Sequence, residues 1–384
     1  MATIAKFEVF RVFPRWVIVR LESSDGIVGW GEATLEGHCE AVEGSLMDLA
    51  ECFTGHPCDD IEQIWQSAFR QRFYRSGPVL MSALAGLDIA LWDMKAKRFR
   101  VPIWSLLGGK LRDKIKVYGG AYEITPEKMK EAALVRKSQG HTAIKMTPTD
   151  GLGWLDSPSA LDNAVECLKA VKSVGMDLAL DFHGRVHKPM VRQLAAALAP
   201  HHPLFIEEPL LPGQIEGIKQ LAGQTSIPIA LGERLFSRWD CKAYFESASI
   251  DIIQPDVSHA GGISETLRIA RMAEAYDIAL APHCPLGPIA FAACCQIAMV
   301  SSNFVIQEMQ YPLHPGGDTC DIFTYLKDPE VFRVTDGYVQ AFTAPGLGIE
   351  LNEELIRQTD VKCRKEAPLR LPKWNAADGS IQEW

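Results

Sequence analysis

Hydrophobic and polar residues alternate near the start of the chain. Three stretches follow this alternation, Ile4–Val12, Trp16–Glu22 and Ile27–Trp30, and each is typical of a strand with one buried face. From Ala41 onward the apolar residues recur at helical spacing instead, and a helix is predicted around Ala83–Ala96. The pattern therefore predicts a small α+β unit, built from a meander of strands and the helices that follow it.

A different rhythm begins at Ile115, where short apolar runs alternate with helical segments of roughly ten to fifteen residues. Such runs are typical of the buried strands of a parallel sheet, and eight of them fit a (β/α)₈-type barrel. The predicted strands are Ile115–Tyr118, Ala143–Met146, Leu178–Phe182, Leu204–Ile206, Ile227–Leu231, Ile250–Ile253, Ile278–Ala281 and Phe304–Ile306. We therefore predict an α/β protein with an α+β unit over residues 1–114, a barrel over residues 115–315 and a C-terminal segment over residues 316–384 that returns to the first unit.

Composition narrows the class of protein. Of the 384 residues, 47% are hydrophobic and 23% are charged, which is the profile of an ordinary globular protein. The formal charge of −9 argues against nonspecific binding to nucleic acid or to anionic membranes, because both need a basic surface. The most apolar stretch, Leu286–Val300, is shorter than the roughly 20 residues of a membrane span.

The ten cysteines form no C-x-x-C motif, so we expect reduced thiols in a cytoplasmic protein.

Polar residues follow the predicted barrel strands one after another. The carboxyl ends of barrel strands meet at one mouth, which is where barrel enzymes carry their active sites. The residues at these ends are Lys145, Asp181, His183, Glu207, Glu233, Asp256, His283 and Glu308. The sequence therefore predicts that ionisable groups converge at one mouth of the barrel.

Three of these residues are carboxylates at equal spacing, Asp181, Glu207 and Glu233, since 207 − 181 = 26 and 233 − 207 = 26. One such residue alone could be a helix N-cap or a solvated turn residue. Three on neighbouring strands would repel one another strongly unless a cation lay between them. An all-oxygen site prefers Mg²⁺, Ca²⁺ or Mn²⁺, and we favour Mg²⁺ because it keeps positions open for water or substrate.

Two histidines accompany the carboxylates. His183 lies two residues after Asp181, so both side chains face the same side of a strand. Asp256 and His283 end adjacent predicted strands, and a carboxylate in that place can orient the imidazole and raise its basicity. The alternatives are a buried histidine for His183 and a surface ion pair for Asp256 and His283.

The chain resembles the enolase superfamily in its mandelate racemase-like branch. The resemblance implies a modified (β/α)₇β barrel with an α+β capping domain, which the N-terminal region and the C-terminal tail build together. The segments that carry it are Gly29–Glu32, Phe73–Arg75, Ala90–Asp93, Leu180–Val186, Leu204–Pro209, Gly232–Arg234, Gln254–Gly262 and Ala281–Pro288.

The resemblance also implies a reaction, a metal site and a base. The expected reaction removes the C2 proton of an aldonate such as D-galactonate and eliminates the C3 hydroxyl, which gives a 2-keto-3-deoxy acid. Asp181, Glu207 and Glu233 would hold Mg²⁺, and His283 paired with Asp256 would be the general base.

The remaining roles implied by the resemblance belong to the acid and to substrate binding. His183 would protonate the leaving hydroxyl, and Lys145 and Glu308 would lie beside the substrate carboxylate and the enediolate. Arg15, on a turn of the cap, and His314 are expected to contact the substrate. A homo-oligomer is also expected.

One departure from the family pattern bears on the reaction. Racemases of this branch often carry Lys-x-Lys after the second barrel strand, whereas this chain has Lys145-Met146-Thr147. Threonine cannot act as a base near neutral pH, so a lysine–histidine racemase is disfavoured. Dehydration of another aldonate such as gluconate or a deoxy-aldonate, an epimerase or racemase that uses both histidines, and a catalytically silent ligand-binding protein remain alternatives.

Overall fold

The computed structural model describes residues 1–147, 153–310, 320–366, 374–376 and 378–383, and its fold is α/β as predicted. The strands are β1 (Ile4–Val12), β2 (Trp16–Ser23), β3 (Val28–Glu32), β4 (Lys114–Ala121), β5 (Ala143–Met146), β6 (Asp177–Asp181), β7 (Ile206–Glu207), β8 (Ile229–Leu231), β9 (Ile252–Ile253), β10 (Ala279–Leu280), β11 (Gln307–Met309) and β12 (Tyr338–Gln340). The helices are α1 (Cys39–Phe53), α2 (Ile61–Arg70), α3 (Pro78–Phe99), α4 (Ile103–Leu106), α5 (Pro126–Ser138), α6 (Pro158–Ser173), α7 (Lys188–Leu198), α8 (Ile215–Ala222), α9 (Arg238–Ser247), α10 (Gly262–Glu274), α11 (Pro288–Val300) and α12 (Glu353–Cys363). Short 3₁₀ turns span Ala199–His201 and Pro329–Phe332.

The N-terminal unit, which we call the cap, consists of β1–β3 and α1–α3. Its strands form an antiparallel sheet in the order β1-β2-β3, which confirms the predicted meander. The long helix α3 is buried along most of its length and lies against β3. This close approach needs Gly31, because a Cβ atom there would overlap the backbone carbonyl of Gly86 on α3.

The barrel contains eight parallel strands in the order β10-β9-β8-β7-β6-β5-β4-β11. An isolated bridge between Leu280 and Phe304 brings the first and last strands of this order together. The helices α5 to α11 alternate with the strands, and β11 follows α11 directly, so the expected (β/α)₇β arrangement is confirmed.

The predicted position of the eighth barrel strand, Phe304–Ile306, is wrong by three residues, because the strand spans Gln307–Met309. Pairing decides this boundary. Phe304 makes only the bridge to Leu280, whereas the ladder with β4 begins where Gln307 pairs with Val117. The predicted apolar run lies just before the strand. The strand itself contains buried polar side chains, which a search for hydrophobic residues does not detect.

The cap docks on the barrel through buried carboxylates that meet helix N-termini. Asp88 of α3 accepts hydrogen bonds from the backbone nitrogen and the hydroxyl of Ser264 in α10, at 2.9 and 2.5 Å. Glu32 of β3 accepts from the backbone nitrogens of Gly287 and Ala290 at the start of α11, at 2.8 and 3.0 Å. The free N–H groups of a helix start favour an anion, so each acid ties the cap to one barrel helix.

The C-terminal part of the chain contacts both units. Helix α12 lies against β1, where Arg357 pairs with Glu8 at 3.0 Å, and Arg364 pairs with Glu43 of α1 at 2.8 Å. Strand β12 pairs antiparallel with the first barrel strand, β4. The domain limits given above stay a prediction. Among the described residues, no helix is long and apolar enough to cross a membrane.

Candidate active site

Three carboxylates converge at the mouth of the barrel. Asp181 is the last residue of β6 and pairs in register with Glu207, the last residue of β7, while Glu233 follows the end of β8. One carboxylate oxygen from each of the three lies within 4.8 Å of the other two. Asp181 and Glu207 are buried, and the side chain of Glu233 is 11% exposed. The equal spacing along the sequence thus corresponds to one side chain from each of three neighbouring strands.

The donor set of this triad fits a hard divalent cation. Burial and the neighbouring Asp181 raise the pKa of Glu207 well above its usual range, so the cluster resists full ionisation without a balancing charge. Among the described residues, Oε1 of Glu207 is buried without a hydrogen-bond donor. An all-oxygen cluster with an unsatisfied buried acceptor is the kind of site that a divalent metal ion occupies.

Lys145 of β5 lies at the centre of the acidic cluster. Its Nζ atom is 2.8 Å from Oε2 of Glu207, 3.1 Å from Oε1 of Glu308 and 3.2 Å from Oδ2 of Asp181. Burial alone would lower the pKa of this amine, but Glu207 and Glu308 outweigh it and raise the pKa well above its usual range. Lys145 is therefore a permanent cation within the site.

His283 and Asp256 form the expected pair. Nδ1 of His283 lies 2.9 Å from Oδ2 of Asp256, whose other oxygen accepts from the backbone nitrogen of Ser258 at 2.7 Å. Because Asp256 accepts, Nδ1 carries hydrogen and Nε2 faces the triad, 2.9 Å from Oε2 of Glu233. Burial would lower the pKa of His283, but Glu233, Glu308 and Asp256 raise it well above its usual range.

His183 lies at the opposite end of the triad from His283. Its Nε2 atom is 3.1 Å from Oδ2 of Asp181, and its backbone nitrogen donates to Oδ1 of the same residue at 3.0 Å. Burial lowers the pKa of His183, against the opposing effect of Asp181 and Glu233. One imidazole thus contacts Asp181 and the other contacts Glu233, so the two histidines flank the carboxylates from two sides.

The loop that carries His183 is held by two arginines. His183 adopts a left-handed backbone conformation with φ of 50°, and its carbonyl accepts from Arg234 at 2.9 Å. Arg234 also forms a two-bond ion pair with the buried Glu208. Two residues beyond His183, the guanidinium of the buried Arg185 lies 4.1 Å from the ring centre of Trp374, near the C-terminus. The conformation of the loop that carries His183 therefore depends on contacts from distant parts of the chain.

Glu308 connects the last two barrel strands at the site. It lies within β11, and its Oε2 accepts from the backbone nitrogen of Cys284 at 2.8 Å, while its Oε1 contacts Lys145. Nε2 of His283 is 4.0 Å from the same carboxylate. Glu308 therefore fixes the loop after His283 and borders both Lys145 and the imidazole.

Arg15 lies in the cap and pairs with a cap carboxylate that the sequence analysis did not identify. Its Nη2 atom is 3.1 Å from Oε1 of Glu36, and its side chain is 12% exposed. Oε2 of Glu36 is 3.4 Å from Nε2 of His259, which is 3.8 Å from Oδ2 of Asp256. Burial would raise the pKa of Glu36, but Arg15 and His259 outweigh it and lower the pKa to about 2. The cap thus contributes an ion pair next to the Asp256–His283 pair.

The remaining site residues show the limits of the sequence pattern. Nε2 of Gln254 donates to Oε2 of Glu207 at 2.9 Å, and its position two residues before Asp256 was a signal that could have identified it. No spacing or motif singled out Glu36 within its loop, because its partners lie far along the chain. His314, expected to contact the substrate, lies outside the described residues.

Comparison with known proteins identifies relatives of the whole chain. Residues 12–108 match the family "Mandelate racemase / muconate lactonizing enzyme, N-terminal domain", and residues 128–355 match the family "Enolase C-terminal domain-like". The chain is 43% identical over 384 residues to D-galactonate dehydratase of Cronobacter sakazakii, with 99% of this chain and 100% of that protein covered.

Solved structures of similar proteins agree with this. An enolase from Agrobacterium radiobacter with bound sodium and L-malate is 30% identical, with 99% of both chains covered and a TM-score of 0.89. A mandelate racemase/muconate lactonizing enzyme from a Sulfitobacter species is 30% identical, with 94% of this chain and 96% of that chain covered and a TM-score of 0.85.

Proposed function

Because the chain belongs to the mandelate racemase/muconate lactonizing enzyme family of the enolase superfamily, we propose that it is a Mg²⁺-dependent sugar-acid dehydratase. It removes the C2 proton and the C3 hydroxyl of an aldonate, with D-galactonate as the first candidate, and yields a 2-keto-3-deoxy acid. The observation that carries the proposal is the buried carboxylate triad with His183 at one end and the His283–Asp256 pair at the other.

Asp181, Glu207 and Glu233 are the residues that would hold Mg²⁺. When bound there, the ion supplies Lewis-acid stabilisation of the negative charge that develops on the substrate carboxylate. This carboxylate is already anionic, so removing a proton beside it concentrates further charge on the same group. The problem that the site must solve is therefore electrostatic.

His283 takes the C2 proton on Nε2 in this mechanism. Asp256 accepts from Nδ1 at 2.9 Å, which directs Nε2 toward the triad and stabilises the imidazolium that forms. A cation held by Glu233 would weaken the contact of that carboxylate with Nε2, which raises the pKa of His283, and would leave Nε2 free to act as the base. Ser258 in turn holds Asp256 through its backbone nitrogen. The pair thus presents one nitrogen in one tautomer, so the imidazole needs no reorientation before it accepts the proton.

Lys145 stabilises the enediolate that results from proton removal. Its ammonium group is buried and already fixed by three carboxylates, so it does not reorganise as charge develops on the substrate. A preorganised donor of this kind is typically worth about 3–4 kcal/mol of transition-state stabilisation. Glu308, which is not a member of the triad, also contacts Nζ of Lys145 and helps to hold it in place.

His183 donates a proton to the C3 hydroxyl as it leaves. Hydroxide is a poor leaving group, and a positioned acid typically accelerates such a step by about 10²–10⁴-fold. The enol that remains tautomerises to the keto acid. Because the acid and the base lie at opposite ends of the triad, proton removal and hydroxyl departure use different histidines.

A panel of four-, five- and six-carbon aldonates, assayed for 2-keto-3-deoxy acid with Mg²⁺ and with EDTA, tests the proposal. We expect turnover of at least one aldonate, loss of that turnover with EDTA, and loss in His283→Asn. His183→Asn should still exchange the C2 proton with solvent deuterium but should not release water. Absence of turnover across the panel, or exchange without water loss in the unmodified enzyme, would contradict the proposal and favour an epimerase or a binding protein.

A homo-oligomer in the cytoplasm is part of the same proposal. The oligomer rests on the family resemblance, and the cytoplasmic location rests on the ten cysteines, none of which forms a disulfide. Light scattering of the purified protein tests the oligomeric state.

A further inference from the structure

A neutral pair of side chains lies beyond Glu308 at the mouth of the barrel. Tyr122 follows the end of β4, and Gln310 follows the end of β11. These two strands pair with each other, and the register of Met309 with Gly119 places Gln310 next to Gly120. Gln310 therefore lies beside Gly120, and Tyr122 lies two residues further along, diagonal to Gln310.

The alternation of side chains along a strand gives the direction of both residues. Gln310 lies two positions after Glu308, and Tyr122 lies four positions after Tyr118, so each faces the barrel axis with its predecessor. Tyr118 pairs in register with Glu308, and its ring is 5.9 Å from Nζ of Lys145, so these residues mark the level of the charged groups. Gln310 lies two residues beyond this level and Tyr122 lies four, and the hydroxyl of Tyr122 contacts the side chain of Gln310.

The two side chains bond to each other and fill a space that a glycine leaves open. Nε2 of Gln310 donates to the hydroxyl of Tyr122. A Cβ atom on Gly120 would lie 2.7 Å from Oε1 of Gln310 and 2.8 Å from the hydroxyl of Tyr122, so only glycine leaves room for this arrangement. The pair is therefore built into the strand ends.

The pair keeps hydrogen-bonding capacity for a ligand. Gln310 is 4% exposed, and its Oε1 has no hydrogen-bond partner among the described residues, whereas Tyr122 is 43% exposed. Partial burial and the nearby Glu308 raise the pKa of Tyr122 to about 12, so its hydroxyl keeps its proton at physiological pH. A phenol and a carboxamide offer donors and acceptors without charge, which suits alcohol groups better than anions.

The separation of Gln310 from Glu308 matches the length of an aldonate. The two positions lie two residues apart, which is an advance of about 6.6 Å along a strand and corresponds to a six-carbon chain whose carboxylate lies beside Glu308. Arg15 of the cap pairs with Glu36, and Glu36 also contacts His259. We propose that Tyr122 and Gln310 bind the hydroxyl groups on C5 and C6 of the substrate and set its preferred chain length. This inference rests on the proposed aldonate dehydratase function.

The variants Tyr122→Phe and Gln310→Leu, assayed against a six-carbon and a four-carbon aldonate, test the pair. The distal contacts are the same in the ground state and the transition state, so we expect a higher KM with nearly unchanged kcat for the six-carbon compound. One lost neutral hydrogen bond corresponds to a loss in kcat/KM of about 2- to 12-fold. The constants for the four-carbon compound, taken as a substrate or as a competitive inhibitor, should stay as in the unmodified enzyme.

A matched control removes the same kind of oxygen from the tyrosine four residues earlier. Tyr118→Phe lies on the same strand and face, and it should leave the ratio of six-carbon to four-carbon kcat/KM unchanged. An unchanged ratio in Tyr122→Phe and in Gln310→Leu, or equal losses on both substrates, overturns the inference while the dehydratase function stands.

The inference has a second readout, should the unmodified enzyme turn over no aldonate. The stabilisation of the protein by Mg²⁺ with a six-carbon or a four-carbon aldonate then measures binding directly. A six-carbon advantage that Tyr122→Phe removes supports the pair even where the proposed reaction fails. If the six-carbon aldonate stabilises the unmodified protein no more than the four-carbon aldonate does, the inference and the proposed function are both overturned.

Discussion

The seam between cap and barrel contains a buried acid whose ionisation should weaken the fold. Asp88 of α3 is 1% exposed and contacts Ser264 at the start of α10, and the indole of Trp92 donates to the same serine hydroxyl at 2.9 Å. Burial raises the pKa of Asp88 from 3.8 to about 7, against the lowering effect of the two bonds from Ser264. The perturbation to test is Asp88→Asn, which keeps the shape of the side chain and removes its titration.

The sign and size of the effect follow from linkage. A carboxyl group whose pKa is higher in the folded state contributes most at low pH, and its contribution is lost as pH rises from 3.8 toward 7. At about 1.4 kcal/mol per pKa unit, full ionisation costs about 4 kcal/mol, of which about 2.5 kcal/mol falls between about pH 5 and pH 8. A helix N-terminus stabilises an anion by up to about 2 kcal/mol. If the ionised Asp88 receives all of this stabilisation, the free energy of unfolding still falls by about 1 kcal/mol between about pH 5 and pH 8.

Urea unfolding at pH 5 and pH 8, followed by tryptophan fluorescence, measures this contribution. Trp92 and Trp65 both hydrogen-bond across the seam, so their emission reports on it directly. The free energy of unfolding of the unmodified protein should fall by about 2.5 kcal/mol more than that of Asp88→Asn over this range. If the difference in free energy of unfolding between the two proteins is the same at pH 5 and pH 8, the reasoning is refuted, because Asp88 would then be ionised over the whole range.

Other predictions concern the metal site, the tail and the second seam acid. Mg²⁺ at 100 times its Kd should stabilise the protein by about 2.7 kcal/mol, seen as a rise in Tm that EDTA reverses and that Glu207→Gln abolishes. Trp374→Ala removes the ring that packs on Arg185 and should lower kcat/KM about fivefold, whereas Trp154→Ala, at an indole 69% exposed, should not. Glu32→Gln should destabilise the protein at pH 5 by about 1–3 kcal/mol in urea unfolding, because one amide oxygen cannot accept from both backbone nitrogens at the start of α11.

The strand pattern predicted most of the fold because burial acts on every residue of a strand. The cap strands and the first seven barrel strands contain or overlap the predicted apolar runs. The eighth strand was misplaced because Gln307 and Glu308 are polar and yet buried, with hydrogen-bond partners in the loop after β10. A hydrophobic pattern registers contact with an apolar core, and it misses positions where a buried side chain is satisfied by hydrogen bonds.

The site could be predicted as far as strand ends determine it. Asp181, Glu207 and Glu233 converge because consecutive parallel strands bring equivalent positions to one edge. Glu36 and Trp374 contact the site through tertiary packing alone, and no spacing along the chain encodes such a contact. Local pattern therefore identifies the inner layer of the mouth, and the surrounding contacts require the three-dimensional structure.

The charge balance of the inner layer determines the order in which ligands can bind. Asp181, Glu207, Glu233 and Glu308 contribute four negative charges when ionised, against the positive charge of Lys145, which contacts three of them, and that of His283 when it is protonated. Two like charges at about 4 Å cost about 4 kcal/mol at the effective dielectric constant near a protein surface. An aldonate carboxylate would add another negative charge to this cluster, so a divalent cation must enter first. We therefore expect calorimetry to detect aldonate binding with Mg²⁺ and none in EDTA, and equal affinity under both conditions would show that Lys145 alone neutralises the site.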